Sequence, residues 1–196
     1  MKDASRRVRA EGLDGAAVAA VMRDTGLTHG GFYKHFESKG ELLLESLKEA
    51  FRDIGNTLVH AAEQSHPEPA WKAIVKTYLT LEFCDYPERG CPLPALAPEL
   101  TRVDQKMRKQ ILPQLVNYKD RMVPFMPGCR TADKEQAFFA IFATMAGAIE
   151  IACCRSLRCG RKSWQPPKIF SCRAFEFRNR YAFSSGSCVP YRDVNP

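Results

Sequence analysis

The chain has 196 residues, enough for one compact core or for a small reader domain with a larger companion. It holds no unbroken run of about 18 apolar residues, and its start, MKDASRRVRAEG, lacks the apolar stretch of a signal peptide, so no membrane span and a cytoplasmic location are expected. A net charge of +7 suggests a nucleic-acid partner, yet residues 1–60 carry nine basic and nine acidic side chains, residues 61–152 eleven of each, and residues 153–196 nine against two, so the excess belongs to the tail and not to any reader.

Asp3 to Ala10 reads as the end of a first helix, stopped by Gly12. Ala16 to Asp24 is a second, short helix with Val18, Val21 and Met22 on one face, broken at Gly26. Thr28 caps a third that runs to about Phe36. Ser38-Lys39-Gly40-Glu41 has the form of a capping box, in which Ser38 accepts from the amide three residues on and Glu41 reaches back. The long helix that follows carries Leu43, Leu47, Ala50, Phe51, Ile54 and Leu58 at three- and four-residue steps.

After the linker His66-Pro67-Glu68-Pro69, a helix is expected from about Ala70 to Tyr86, and Pro87 to Pro98 reads as an irregular connection. A helix from Glu99 to about Phe125 is marked by Leu100, Val103, Met107, Ile111, Leu115, Tyr118 and Met122, with a kink at Pro113. Pro124, Pro127 and Gly128 end it. Asp133 and Gln136 are caps for a last helix whose Phe138, Phe139, Ile141, Phe142, Met145 and Ile149 cover much of its circumference. The expected fold class is therefore all-α.

Three of the eight cysteines precede residue 153 and five fall within residues 153–196, with no Cys-x-x-Cys pair. That spacing suits neither a zinc knuckle nor a secreted disulfide scaffold. No nucleophile–base pair or metal cluster is visible, so neither an enzyme nor a cofactor is expected.

The segment Ala16 to Lys39, AAVAAVMRDTGLTHGGFYKHFESK, is a short helix, a tight turn and a second short helix, the form of a helix-turn-helix whose second helix enters the major groove. His29, Gly30 and Gly31 fall in its leading turn. Glycines cost a helix about 1 kcal/mol each relative to alanine, so two of them there point to close backbone approach to DNA, with a frayed cap as the plain alternative. His29 and Lys34 are the candidates for base reading, although Lys34 fits a solvent-facing position equally well. Phe32 and Phe36 read as core.

From Gly26 to Lys39 this run resembles the TetR family of bacterial regulators, most specifically over residues 12–47 and in helix order over residues 1–152. The resemblance implies that the Thr28 hydroxyl, Tyr33 and Lys39 contact phosphates, and that His35 packs or does the same. It implies a helix-turn-helix domain over residues 1–46, a helical ligand-binding and dimerisation domain over 47–152, and a partner set of double-stranded operator DNA, a small-molecule effector and a second copy of the chain. The whole is then a regulator, and in this reading a repressor of a palindromic operator. Ala16-Ala17 departs from the family's usual Thr or Ser at that cap, and the family's longer first helix implies a natural start upstream of Met1.

Within the second domain, Trp71 and Tyr78 are candidates for an effector pocket, with ordinary core as the plain alternative. Glu88 to Leu93 resembles a Gly-Cys segment of some members, which makes Cys91 a candidate redox or electrophile sensor, with a structural cysteine as the default.

Residues 153–196 do not read as the family's last helix. Pro166-Pro167 interrupts any helix, and a basic, Cys-rich, disordered tail or a change of reading frame is expected. With suitable synonymous codons a shifted frame over Cys154 to Phe175 encodes an amphipathic peptide followed by a stop. Two other functions stay open: a thiol- or metal-dependent module built on this tail, and an inactive product of a frameshifted regulator gene. Without the family's last helix the chain is expected to dimerise poorly and to expose Phe138, Phe142 and Ile149.

Overall fold

Helix α1, Lys2–Gly15, contains the break expected at Gly12, whose φ of 78° and ψ of −173° belong to a region that glycine alone occupies readily. Helix α2, Lys39–Glu63, buries the whole predicted stripe from Leu43 to Leu58. The computed structural model describes residues 1–15, 36–80, 82–156, 181–184 and 187–190. The second and third predicted helices lie outside the described residues.

The next segments depart from expectation. Instead of one helix from Ala70 to Tyr86 there are two, α3 (Ala70–Tyr78) and α4 (Glu82–Asp85), parted where the Thr80 amide turns back onto the Tyr78 carbonyl. The supposed irregular connection is a 3-10 turn at Pro87–Arg89 followed by α5, Pro92–Leu100. Proline is well tolerated in a helix's first turn, where no amide donor is needed, so Pro92 and Pro94 do not prevent α5. Helix α6, Gln105–Met122, starts later than Glu99 because the Asp104 side chain caps the Met107 amide at 2.7 Å. Pro113 lies inside α6. A 3-10 turn, Val123–Phe125, leads to Gly128 at φ 139° and then α7, Thr131–Ser156. Asp133 accepts from the Arg130 amide at 3.2 Å, so it serves the start of α7 from within the first turn.

Residues 1–159 form one compact unit. Val8 of α1, Leu43 and Leu47 of α2, Leu96 of α5 and Ile111 of α6 make one buried cluster, so the first helix shares its core with the helices after residue 47. Helix α2 runs through residue 46 without a break. A second centre is aromatic: Phe138 and Phe142 stack at 4.4 Å, and Tyr118 meets Phe142 edge-on at 5.6 Å.

Helix α7 corrects one expectation. Phe138, Phe142 and Ile149 are buried within the chain, while Phe139 and Ile151 are the large side chains left exposed. Thr131–Cys153 also has a mean hydropathy of 1.6 and is, by length and composition, apolar enough to cross a membrane, although no unbroken apolar run marks it. Its Phe138, Ile141, Phe142, Met145 and Ile149 form part of the buried core instead.

Residues 160–196 make a separate unit. Its described part is an antiparallel hairpin, β1 (Tyr181–Ser184) with β2 (Ser187–Pro190), the sole β structure among the described residues. All the helices among the described residues belong to the first unit, which is all-α over its described residues.

Candidate DNA-reading segment and the adjoining cavity

Ser38 adopts extended backbone and its hydroxyl accepts from the Glu41 amide at 3.2 Å, as the capping box requires. Glu41 reaches back one residue further than expected, accepting from the Glu37 amide at 2.6 Å. Two amide donors at this helix start are thereby met, and Lys39 stands exposed at the first helical position. A lysine there adds a full charge to the partial positive charge of a helix N-terminus, a setting that favours a phosphate. Gly40 lies so close to α6 that a Cβ would sit 2.9 Å from the Met107 methyl carbon. Thr28, His29, Gly30, Gly31, Tyr33, Lys34 and His35 lie outside the described residues.

Helix α1 is tied to the rest of the unit by polar links. Arg9 is buried, and its guanidinium donates to the Gly90 carbonyl at 3.0 Å and to the Ser5 carbonyl at 3.3 Å. Asp53 of α2 lies 3.7 Å from it. Burial lowers the Arg9 pKa from its ordinary value, and Asp53 opposes that shift. The Leu13 amide donates to the Glu99 carboxylate at 2.6 Å. This bond falls just after Gly12, where a Cβ would sit 2.7 Å from a Glu99 oxygen, so both the backbone angle and the close approach demand glycine.

Both links border a cavity of about 420 Å³, a size suited to a small organic molecule. Tyr78 and Cys91 line it, together with Arg9, Gly12, Glu99 and Glu150. Trp71 is not on its wall; it is half-buried elsewhere on α3, with the Lys72 ammonium 5.4 Å from its ring centre. Of the effector candidates the structure therefore brings Tyr78 and Cys91 together and leaves Trp71 apart. Sequence reasoning passed over Arg9, Glu99 and Glu150. Gly12 was the available signal, since a helix break beside a basic run marks a place where the chain meets something.

Cys91 is a free, buried thiol at the start of α5. Burial pushes its pKa up from the ordinary 9.0, and hydrogen bonding from Tyr78, the Leu93 backbone and Tyr118, with the charge of Arg9, only partly offsets this. It is held as a neutral thiol near neutral pH, the opposite of the exposed, low-pKa setting that reactive cysteines occupy. The Tyr78 and Tyr118 hydroxyls lie beside it, each fully desolvated and without a well-formed hydrogen bond. Cys129 and Cys153 each belong to a disulfide, which the cysteine spacing did not suggest. Among the described residues no group of three His, Cys, Asp or Glu side chains could hold a metal ion.

Residues 2–46 match the family model of the bacterial regulatory proteins, tetR family. The match spans α1, the predicted helix-turn-helix and the capped start of α2. These residues are thus a TetR-type helix-turn-helix segment of a DNA-binding transcriptional regulator. No curated protein matches the chain.

Proposed function

From a TetR-type DNA-binding segment at residues 2–46, we propose that the chain is a ligand-responsive repressor that acts in the cytoplasm on a palindromic operator as a homodimer. The family match is the observation that carries this reading. Thr28, Tyr33, His35 and Lys39 hold phosphates, and His29 and Lys34 face base edges past Gly30 and Gly31. Phosphate contacts set the register, and base contacts carry the sequence preference.

The exposed face of α7 supports a second copy as the dimer partner. Phe139 is 62% and Ile151 65% exposed, and nothing lies within 4 Å of where a Cβ would stand at Gly147. Small residues there leave room for close helix contact. In this reading the tail from Cys153 is foreign to the dimer seam through a change of reading frame, so the dimer is weak. The DNA sequence from codon 150 onward tests that part.

Selection from random duplex DNA, run with the full chain at high concentration, tests the whole. The expected product is an inverted repeat whose half-sites lie about 34–36 Å apart, bound cooperatively by two molecules. Lys39→Ala should weaken binding to many sequences alike and lower the salt slope by about one unit. Failure to enrich any repeat would overturn the reading.

A further inference from the structure

We propose that the cavity between α1, α5 and α7 is a binding site for a small organic cation, an aryl- or alkylammonium, which draws Glu99 away from the Leu13 amide. The proposal deepens the ligand-responsive reading above and rests on it for the consequence on DNA, but not for the binding itself.

The charges at the cavity are unequal. Arg9 is its basic wall residue, and its guanidinium is engaged by Asp53 and by the carbonyls of Gly90 and Ser5. Three carboxylates face it. Glu11 is paired with Arg7 at 3.3 Å. Glu99 accepts only from a neutral amide, and Glu150 has no ion pair among the described residues. Two negative charges therefore stand without a cation at a partly enclosed site, where attraction to a ligand charge is stronger than in open water.

A second, independent observation concerns Tyr78. Its side chain is wholly buried at the cavity wall, with its hydroxyl beside the Cys91 thiol. The Tyr78 and Phe83 rings meet edge-on at 6.1 Å and both belong to the wall, giving the aromatic surface that an ammonium favours. Pro87, Pro94 and Ile149 complete an apolar surface for the body of the molecule.

The position gives the site its consequence. Glu99 is both a free charge for the ligand and the acceptor that holds the chain just beyond Gly12. A bound ammonium competes with the Leu13 amide for the same carboxylate. Loss of that bond loosens the last residues of α1, which lead directly into residues 16–35. The ligand's energy is thus applied where the reader segment joins its support.

The full chain would be titrated by calorimetry, without DNA, using 2-phenylethylammonium, neutral 2-phenylethanol and anionic phenylacetate. Saturable binding of the ammonium is expected, with the alcohol about tenfold weaker and the carboxylate not bound. Glu150 is exposed, so Glu150→Gln should leave the fold intact, checked by circular dichroism, and weaken the ammonium about fivefold. Hydrogen exchange at the Leu13 amide should quicken when the ammonium is added. Equal affinity for ammonium and alcohol, or no saturable ammonium binding, would overturn the cation site. Binding with unchanged Leu13 exchange would overturn the coupling. None of these outcomes depends on operator binding, and a chain that takes the ammonium but selects no DNA repeat would fail the regulator reading alone.

Discussion

Helices α1 and α7 border the same cavity and are held in opposite ways. Helix α7 is fixed by apolar contact along one face, through Phe138, Ile141, Phe142, Met145 and Ile149. Helix α1 adds to the buried Val8 and Ala4 a small set of directional polar links: Arg9 to the Gly90 carbonyl and Asp53, and Leu13 to Glu99. Apolar packing is redundant, since many weak contacts share the load. A polar link is single and directional, so one event can undo it. The element nearer the reader is thus the one whose position a charge can change.

Removing a side chain from each helix should expose the contrast. Phe142→Ala leaves a cavity in the aromatic centre and should destabilise the whole unit by about 3–5 kcal/mol, read as a lower urea midpoint with one cooperative transition. Arg9→Ala should cost less, about 1.5–3 kcal/mol, because it strands the Gly90 carbonyl and leaves Asp53 without its partner. Its signature should be local: amide exchange in α1 should quicken more than in α7. Uniform exchange changes would show that α1 is no more separable than α7.

Gly12→Ala should cost about 1–3 kcal/mol from backbone strain alone. The added methyl also crowds Glu99, so the Leu13 amide should lose protection in this variant. Normal protection at Leu13, with stability unchanged, would show that Gly12 is only a helix stop.

The smallest effect is pH dependence. Burial raises the Cys91 pKa above 9.0, so the unfolded chain gives up this proton first as pH rises. The stability tied to the neutral thiol is complete below about pH 9 and is lost as pH climbs toward the folded value. Tyr78 shifts in the same direction from 10.0, through burial first. The urea midpoint should therefore fall between pH 7 and pH 10, and Cys91→Ala should shrink that fall. An identical fall in the variant would assign it to the tyrosines.

Local signals account for the expectations that the structure bears out. The stripe from Leu43 to Leu58 repeats at helical spacing on one face, and only one burial direction fits it. The Ser38 cap and the Gly12 break are decided within a few residues. Composition misled at Pro87 to Pro98, where prolines in a first turn disguised α5. Periodicity misled in α7, because apolar residues around the whole circumference do not say which face turns inward. Phe138 and Phe139 are neighbours of one kind, and one is 6% exposed while the other is 62%.

The sequence by itself determined the helix-turn-helix segment: the family match over 2–46 rests on consecutive letters, the run from Gly26 to Lys39 among them. It also determined α2, whose pattern is local and periodic. Only the tertiary structure decided the cavity. Arg9 meets Gly90 across 81 positions and Leu13 meets Glu99 across 86, and neither pairing leaves any periodic or spacing trace in the chain. A buried arginine and a surface arginine are the same letter. What separates them is whether a carbonyl and a carboxylate from distant helices arrive beside the guanidinium, and that is settled when α1 packs its Val8 against α2, α5 and α6.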